Sequence, residues 1–144
     1  KPIFNRRFIA HTAFVLDPVL MNAGAKLFEG EHDFIGFTKL NHGRESTVRS
    51  INRCVVVSPK QGVITMDIEG AGFLWNMVRI ITGTLLEVGR GRFTPDEIPD
   101  IIASGERRRA GKTLPAQGLY HCGRTLRVPR CNNQAHPQMQ IAYK

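Results

Sequence analysis

The sequence predicts an α+β fold, an antiparallel sheet with helices packed on one face, and three observations carry that prediction. Residues 63–69 (VITMDIE) alternate cleanly, with Ile64, Met66 and Ile68 pointing one way and Thr65, Asp67 and Glu69 the other. That period of two marks a half-buried strand of an antiparallel sheet. Residues 47–57 (TVRSINRCVVV) have the composition of a second strand, and residues 58–62 (SPKQG) supply the turn chemistry of a hairpin between them. Residues 71–91 (AGFLWNMVRIITGTLLEVGRG) instead repeat their apolar side chains every three or four positions, as a buried helix does. Strands and helices do not alternate one for one, which points to an α+β layer.

The remaining elements follow in chain order. Residues 8–16 (FIAHTAFVL) are β-branched and aromatic enough for a strand. Asp17-Pro18 then gives a helix cap followed by proline at the first helical position. Leu20, Ala23, Gly24, Leu27 and Phe28 form the apolar face of a short helix that stops at Gly30. His32-Asp33-Phe34 and Phe37 fall in a segment with no clear period, read as loop, and residues 41–46 (NHGRES) read as an exposed excursion. The helix over 71–91 is expected to end at Gly89 and Gly91, because glycine accepts the left-handed cap conformation. Thr94-Pro95-Asp96-Glu97 opens another helix with a capping box, buries Ile98, Ile101 and Ile102, and stops at Gly105. A basic loop over 106–117 leads to a short strand over 119–122. From residue 126 the chain turns polar and proline-bearing, so residues 1–125 read as one domain and 126–144 as a tail or linker.

Composition narrows the function classes. The 144 residues suffice for one domain with its own core, and 42% hydrophobic with 22% charged residues fits a globular chain. Arg79 interrupts the best apolar run before it reaches the roughly 18 charge-free residues of a membrane span. The start, KPIFNRRF, has neither an initiator methionine nor a secretory core, and reads as an internal cut or a trimmed chain. A net charge of +8 and a pI near 10.0 favour a polyanionic partner, since Lys and Arg release counterions when they neutralise phosphates. Three cysteines at no framework spacing (Cys54, Cys122, Cys131) suggest free thiols in a reducing, intracellular compartment.

Common catalytic motifs are absent: no P-loop, no G-x-G-x-x-G, no G-x-S-x-G and no C-x-x-C. The histidines sit at no metal-ligand spacing, and His121, Cys122, Cys131 and His136 make an unconvincing zinc set. His32-Asp33 serves local turn capping more naturally than acid–base work. Arg79 is the anomaly. A guanidinium keeps its proton, so its place in an apolar helix demands a hydrogen-bonded anion. Asn76, Arg79, Thr82 and Gly83 share one helical face, and Gly83 leaves room beside Arg79 for another backbone or a ligand. Two readings stand: an internal ion pair with Asp33, Asp67 or Glu69, or an open cleft in which Arg79 orients a carboxylate, a phosphate or a base.

Four segments in order resemble one family. GFLWNMVRIITGTLLEVGRG followed by RRAGKTLPAQGLY is similar to the C-terminal half of the tRNA pseudouridine synthase A family. Upstream, Gly30-Glu31-His32-Asp33-Phe34 resembles the family's G-x-H-D-F and Thr47-Val48-Arg49-Ser50-Ile51 its P-V-R-T-I strand. The resemblance covers roughly residues 10–124.

The resemblance implies one half of a two-domain synthase fold that isomerises uridine to pseudouridine in RNA, tRNA above all, without metal or organic cofactor. It implies that Arg79 pairs with the catalytic aspartate, that Leu119, and with it Asn76, lies near the target base, and that the RNA cleft runs between two similar halves. The aspartate of that family lies in G-R-T-D-x-G-V-H. Here the only G-R-T is Gly123-Arg124-Thr125, followed by Leu126, and none of the five aspartates has that context. The chain is therefore expected to be inactive without an N-terminal half that brings the carboxylate. Arg107, Arg108, Arg109 and Lys112 are expected to touch RNA phosphates, because charge-only contacts position without specifying sequence. Two other readings compete: a non-catalytic RNA-docking subunit of a ribonucleoprotein, and a domain serving as a homodimer interface.

Overall fold

The computed structural model describes residues 10–39, 46–60, 62–121 and 137–142. Its centre is a long antiparallel hairpin: β3 (Val48–Lys60) pairs with β4 (Val63–Gly70) through Ile51↔Gly70, Cys54↔Ile68, Val56↔Met66 and Lys60↔Val63. The strands close more tightly than the SPKQG turn predicted, because Lys60 and Val63 are already ladder partners and Gly62 takes φ +79°. Ile64, Met66 and Ile68 are buried on the helix side, as their alternation predicts. On the other side Thr65 is buried as well, while Asp67 and Glu69 are half-buried.

The polar tail expected over 126–144 contains a strand. β6 (Pro137–Ala142) lies beside β4 in antiparallel register, Ile64↔Ile141 and Met66↔Met139, and the domain therefore extends past 125. Met139 and Ile141 are buried and alternate with half-buried Gln138 and Gln140. A period of two over so few residues, with two polar glutamines, is a weak sequence signal; the pairing comes from β4. On its other edge β6 takes β1 (Ala10–His11) in parallel and β5 (Leu119–His121) in antiparallel register. The strand expected over 8–16 is confined to those two residues of β1 among the described ones, because the chain must turn to present Asp17 to the next helix.

That helix, α1 (Pro18–Lys26), starts as predicted: Asp17 Oδ1 accepts from the amides of Val19 at 2.9 Å and Leu20 at 3.3 Å. Its buried face is one residue out of the expected phase. Met21, Gly24, Ala25 and Phe28 turn inward and Leu20 and Ala23 outward. Helix–helix packing sets this phase, since α1 crosses the next long helix at Gly24, where a Cβ would approach Leu85 Cδ2 to 3.1 Å. His32-Asp33, expected in a loop, belongs to strand β2 (Gly30–Asp33), which pairs with β3 from Gly30↔Ile51 to Asp33↔Val48. An edge strand needs only backbone partners, so it carries no apolar alternation to read. A 3-10 turn (Ile35–Phe37) follows, and Phe28, Phe34 and Phe37 pack together fully buried. Each such buried side chain contributes roughly 1.5–3 kcal/mol. The excursion expected over 41–46 lies almost wholly outside the described residues.

The predicted helix over 71–91 is shorter. α2 (Met77–Gly89) begins after a turn, and Asn76 stands at its cap with φ +60°. Its end is as expected, with Gly91 in the left-handed region at φ +78°. α3 (Glu97–Ser104) buries Ile98, Ile101 and Ile102, Glu97 Oε2 accepts from the Thr94 amide, and Gly105 closes it at φ +63°. The sheet order is β1-β6-β4-β3-β2, with β5 beside β6 and both α1 and α2 covering the face that carries Cys54, Val56, Met66 and Ile141.

Glu29, just past the end of α1, ties that end to the sheet. The Cys54 amide donates to Glu29 Oε1 at 2.9 Å and, with Lys26, holds that carboxyl below its ordinary range against the opposing effect of burial. A depressed carboxyl stabilises the fold above its unfolded pKa and loses that contribution as pH falls through the folded value. Burial pushes the Cys54 thiol up to about 12, so it stays protonated and unreactive. Cys122 and Cys131 lie outside the described residues.

Candidate active site

Arg79 sits in the first turn of α2, half-buried, and both oxygen atoms that hold it come from nearby backbone and cap. Its Nε donates to Leu114 O at 2.6 Å and an Nη1 hydrogen to Asn76 Oδ1 at 2.7 Å. Leu114 N returns a bond to Arg79 O at 3.3 Å, so the two residues grip each other in both directions. A guanidinium has five N–H donors, and the Nη2 amine takes no partner among the described residues.

The internal ion pair considered from sequence is not formed among the described residues. Their ion pairs are Lys26–Glu29, Arg90–Glu87 and Arg92–Glu87, and none involves Arg79. Asp33 spends Oδ1 on the Thr47 hydroxyl and the Ile35 amide, Asp67 accepts from Gln138, and Glu69 stands opposite Arg53 in the ladder. His32 Nε2 meets Glu29 O at 2.9 Å, so the adjacent His32 and Asp33 side chains face different partners and do not form an acid–base pair. Both line a groove of about 600 Å³ with Ile35, Pro99 and Ile102, and Arg79 is not among its lining residues.

The polar stripe on α2 is not open as its helical phase suggested. Thr82 is fully buried and donates back to Val78 O, and Gly83 is covered. A strap over residues 107–114 covers it. An added Cβ on Gly83 would lie 1.8 Å from Lys112 O, and one on Gly111 only 2.4 Å from Gly83 C and Thr84 N. Two glycines therefore let two backbones touch. Gly111 N donates to Thr84 Oγ1 at 2.9 Å, and Arg107, at the start of the strap, braces it internally through Gly111 O at 2.8 Å and Thr113 Oγ1 at 3.0 Å. The room that Gly83 leaves is filled by backbone, and that backbone is what carries Leu114 to Arg79.

The four cations expected on RNA divide accordingly. Arg107 turns inward as a structural clamp, and burial draws its pKa below the ordinary arginine value. Arg108, Arg109 and Lys112 are exposed. Leu119 opens β5 opposite Met139 and packs half-buried against the core. Asn76 is a positioning residue: its left-handed backbone aims the carboxamide at Arg79.

A family model described as tRNA pseudouridine synthase matches residues 25–123, which include α2, the strap and β5 but begin later than the expected start near residue 10. The tRNA pseudouridine synthase A of Ruminiclostridium cellulolyticum is 46% identical over 110 residues, 76% of this chain and 45% of that protein. That of Bacillus pumilus is 43% identical over 118 residues, 82% of this chain and 47% of the relative. That of Listeria monocytogenes serovar 1/2a is 39% identical over 118 residues, 81% and 48%. The chain thus spans about half the length of the curated relatives it matches. The family match runs through the α2 helix that carries Arg79, the glycine-bearing strap that fixes it and the β5 strand that follows, and on that evidence the chain belongs to the tRNA pseudouridine synthase family.

Proposed function

We propose that this chain supplies the arginine-bearing half of an enzyme that isomerises uridine to pseudouridine in tRNA, and that a second half brings the catalytic aspartate. The supporting observation is the state of Arg79: oriented by two oxygen acceptors, half-buried, with its Nη2 edge free of any carboxylate among the described residues. Isomerisation breaks the N1–C1′ bond of uridine, turns the uracil, and joins C5 to C1′; N1 gains a proton and C5 loses one, with no net redox change. An aspartate that attacks sugar or base must stay ionised and aimed. A guanidinium beside it favours the charged form and fixes two oxygens in one plane. The target nucleotide must also leave its stack to reach such a pair.

The chain alone is expected to bind tRNA without changing it, and to form pseudouridine once joined to, or co-expressed with, a half containing G-R-T-D-x-G. Nucleoside chromatography of the digested tRNA reads the product. Product from the 144-residue chain alone, or none from the combined protein, would overturn the proposal. Binding without activity in the combined protein is what the RNA-docking reading requires.

Arg108, Arg109 and Lys112 are proposed to contact phosphates. Replacing Arg108 and Arg109 together by alanine is expected to weaken tRNA binding irrespective of sequence. The slope of log K against log salt should shrink by about 1.5–2, as for two phosphates lost. Unchanged slope in a filter-binding titration would remove these side chains from the interface.

A further inference from the structure

We infer that Trp75 is a stacking platform for an RNA nucleobase, carried on the same turn as Asn76, which anchors Arg79. Trp75 is the single tryptophan of the chain, and it is 65% exposed while the aromatic cluster of Phe28, Phe34 and Phe37 is fully buried. An indole so exposed leaves a large apolar face in water, which a packed partner would cover. Among the described residues Phe14 is exposed too, but the Arg90 guanidinium packs 3.5 Å from its ring centre, whereas Lys39 Nζ stands off the Trp75 ring centre at 5.9 Å.

The backbone under Trp75 is tied down on both sides. Thr38 Oγ1 donates to Trp75 O at 3.1 Å, and Met77 N donates to Leu74 O at 3.1 Å across the turn. Asn76, next in sequence, is the one non-glycine residue with positive φ among the described residues, and its carboxamide holds Arg79. The ring's backbone and the guanidinium's anchor are thus adjacent residues of one fixed turn.

The occupant follows from charge. Lys39 Nζ stands over the Trp75 ring, and the chain carries +8. An exposed aromatic ring with an ammonium beside it on a strongly basic protein matches a base with its phosphates: the ring takes the base and the ammonium the backbone. Because every base has a π-face, such a platform adds affinity and holds a strand without choosing its sequence. This inference rests on the RNA-modifying function proposed above, and the test separates the two.

Trp75 reports on itself, since no other tryptophan fluoresces. Titrating the chain with single-stranded oligouridine is expected to quench that emission, and an abasic oligonucleotide of equal length and charge is not. Trp75→Ala should lower oligouridine affinity by about 5- to 150-fold yet leave affinity for the abasic strand unchanged, with Trp75→Phe between the two. An exposed side chain is removed, so the melting temperature should hold. Salt-dependent oligouridine binding with no quench and no loss in Trp75→Ala overturns the platform and leaves the proposed function standing. No salt-dependent binding of any RNA overturns both. Quenching by an added aspartate-bearing half without RNA assigns the ring to a protein interface and also overturns the inference.

Discussion

Replacing Arg79 by alanine in the assembled enzyme should lower uridine isomerisation by at least about 10²- to 10³-fold, equivalent to roughly 2.7–4 kcal/mol of transition-state stabilisation. Affinity for tRNA should change only a few-fold, because one half-buried guanidinium is a small part of a surface carrying +8. Arg79→Lys should not rescue activity. An ammonium has neither the Nε that reaches Leu114 O nor the planar fork that holds a carboxylate by two bonds. The alanine variant also loses two hydrogen bonds from a charged donor, so a stability loss of about 1–3 kcal/mol is expected. Activity must therefore be compared on protein shown to be folded by circular dichroism. Near-normal turnover in folded Arg79→Ala would remove Arg79 from the mechanism. Arg79→Ala that binds tRNA normally and turns over slowly would separate it from Arg108 and Arg109, whose proposed effect is on binding.

What could be read from sequence was the chemistry that conflicts with its surroundings. Arg79 stood out because a permanent charge in an apolar helix needs an explanation, and Asn76 and Gly83 fell beside it by helical phase. The capped start of α1 was equally visible, because Asp17-Pro18 acts locally; at α3 only half of the expected capping box forms, with Glu97 accepting from Thr94 and Asp96 at the cap without a side-chain bond. What could not be read depends on partners distant in sequence. The phase of α1 is set by Gly24 against Leu85 and Val88, and β2 by backbone pairing to β3. β6 did carry a signal, Met139 and Ile141 alternating with Gln138 and Gln140, but it followed a proline-bearing stretch and too few residues repeated it. The strap was hidden for a deeper reason. Glycine announces freedom, not contact, so Gly111 in RRAGKTLP says nothing by itself about Gly83.

That contact should carry the largest single cost to stability. Gly83→Ala places a methyl group 1.8 Å from Lys112 O, and neither backbone can yield freely. The helix is held against β6 and α1, and the strap by Gly111 N to Thr84, by Arg107, and by the exchange between Leu114 and Arg79. Alanine in a helix interior is favoured over glycine by up to about 1 kcal/mol. Forced overpacking costs about 1–3 kcal/mol and sometimes more. With overlap this severe the steric term wins, and a net loss of about 2–3 kcal/mol is expected, or roughly 8–12 °C in melting temperature. Gly111→Ala should behave alike, since its methyl would meet Gly83 and Thr84 backbone at 2.4 Å. The double variant should lose less than the sum, because a strap lifted by the first methyl no longer meets the second. Gly72→Ala is the control: nothing lies within 4 Å of its added Cβ, so its stability should stay within about 0.5 kcal/mol of the parent. Thermal melts of the four variants decide the matter, and Gly83→Ala melting alongside Gly72→Ala would mean the two backbones do not touch. If they do touch, either methyl also draws Leu114 away from Nε of Arg79, so activity in the assembled enzyme should fall at temperatures where the variants remain folded.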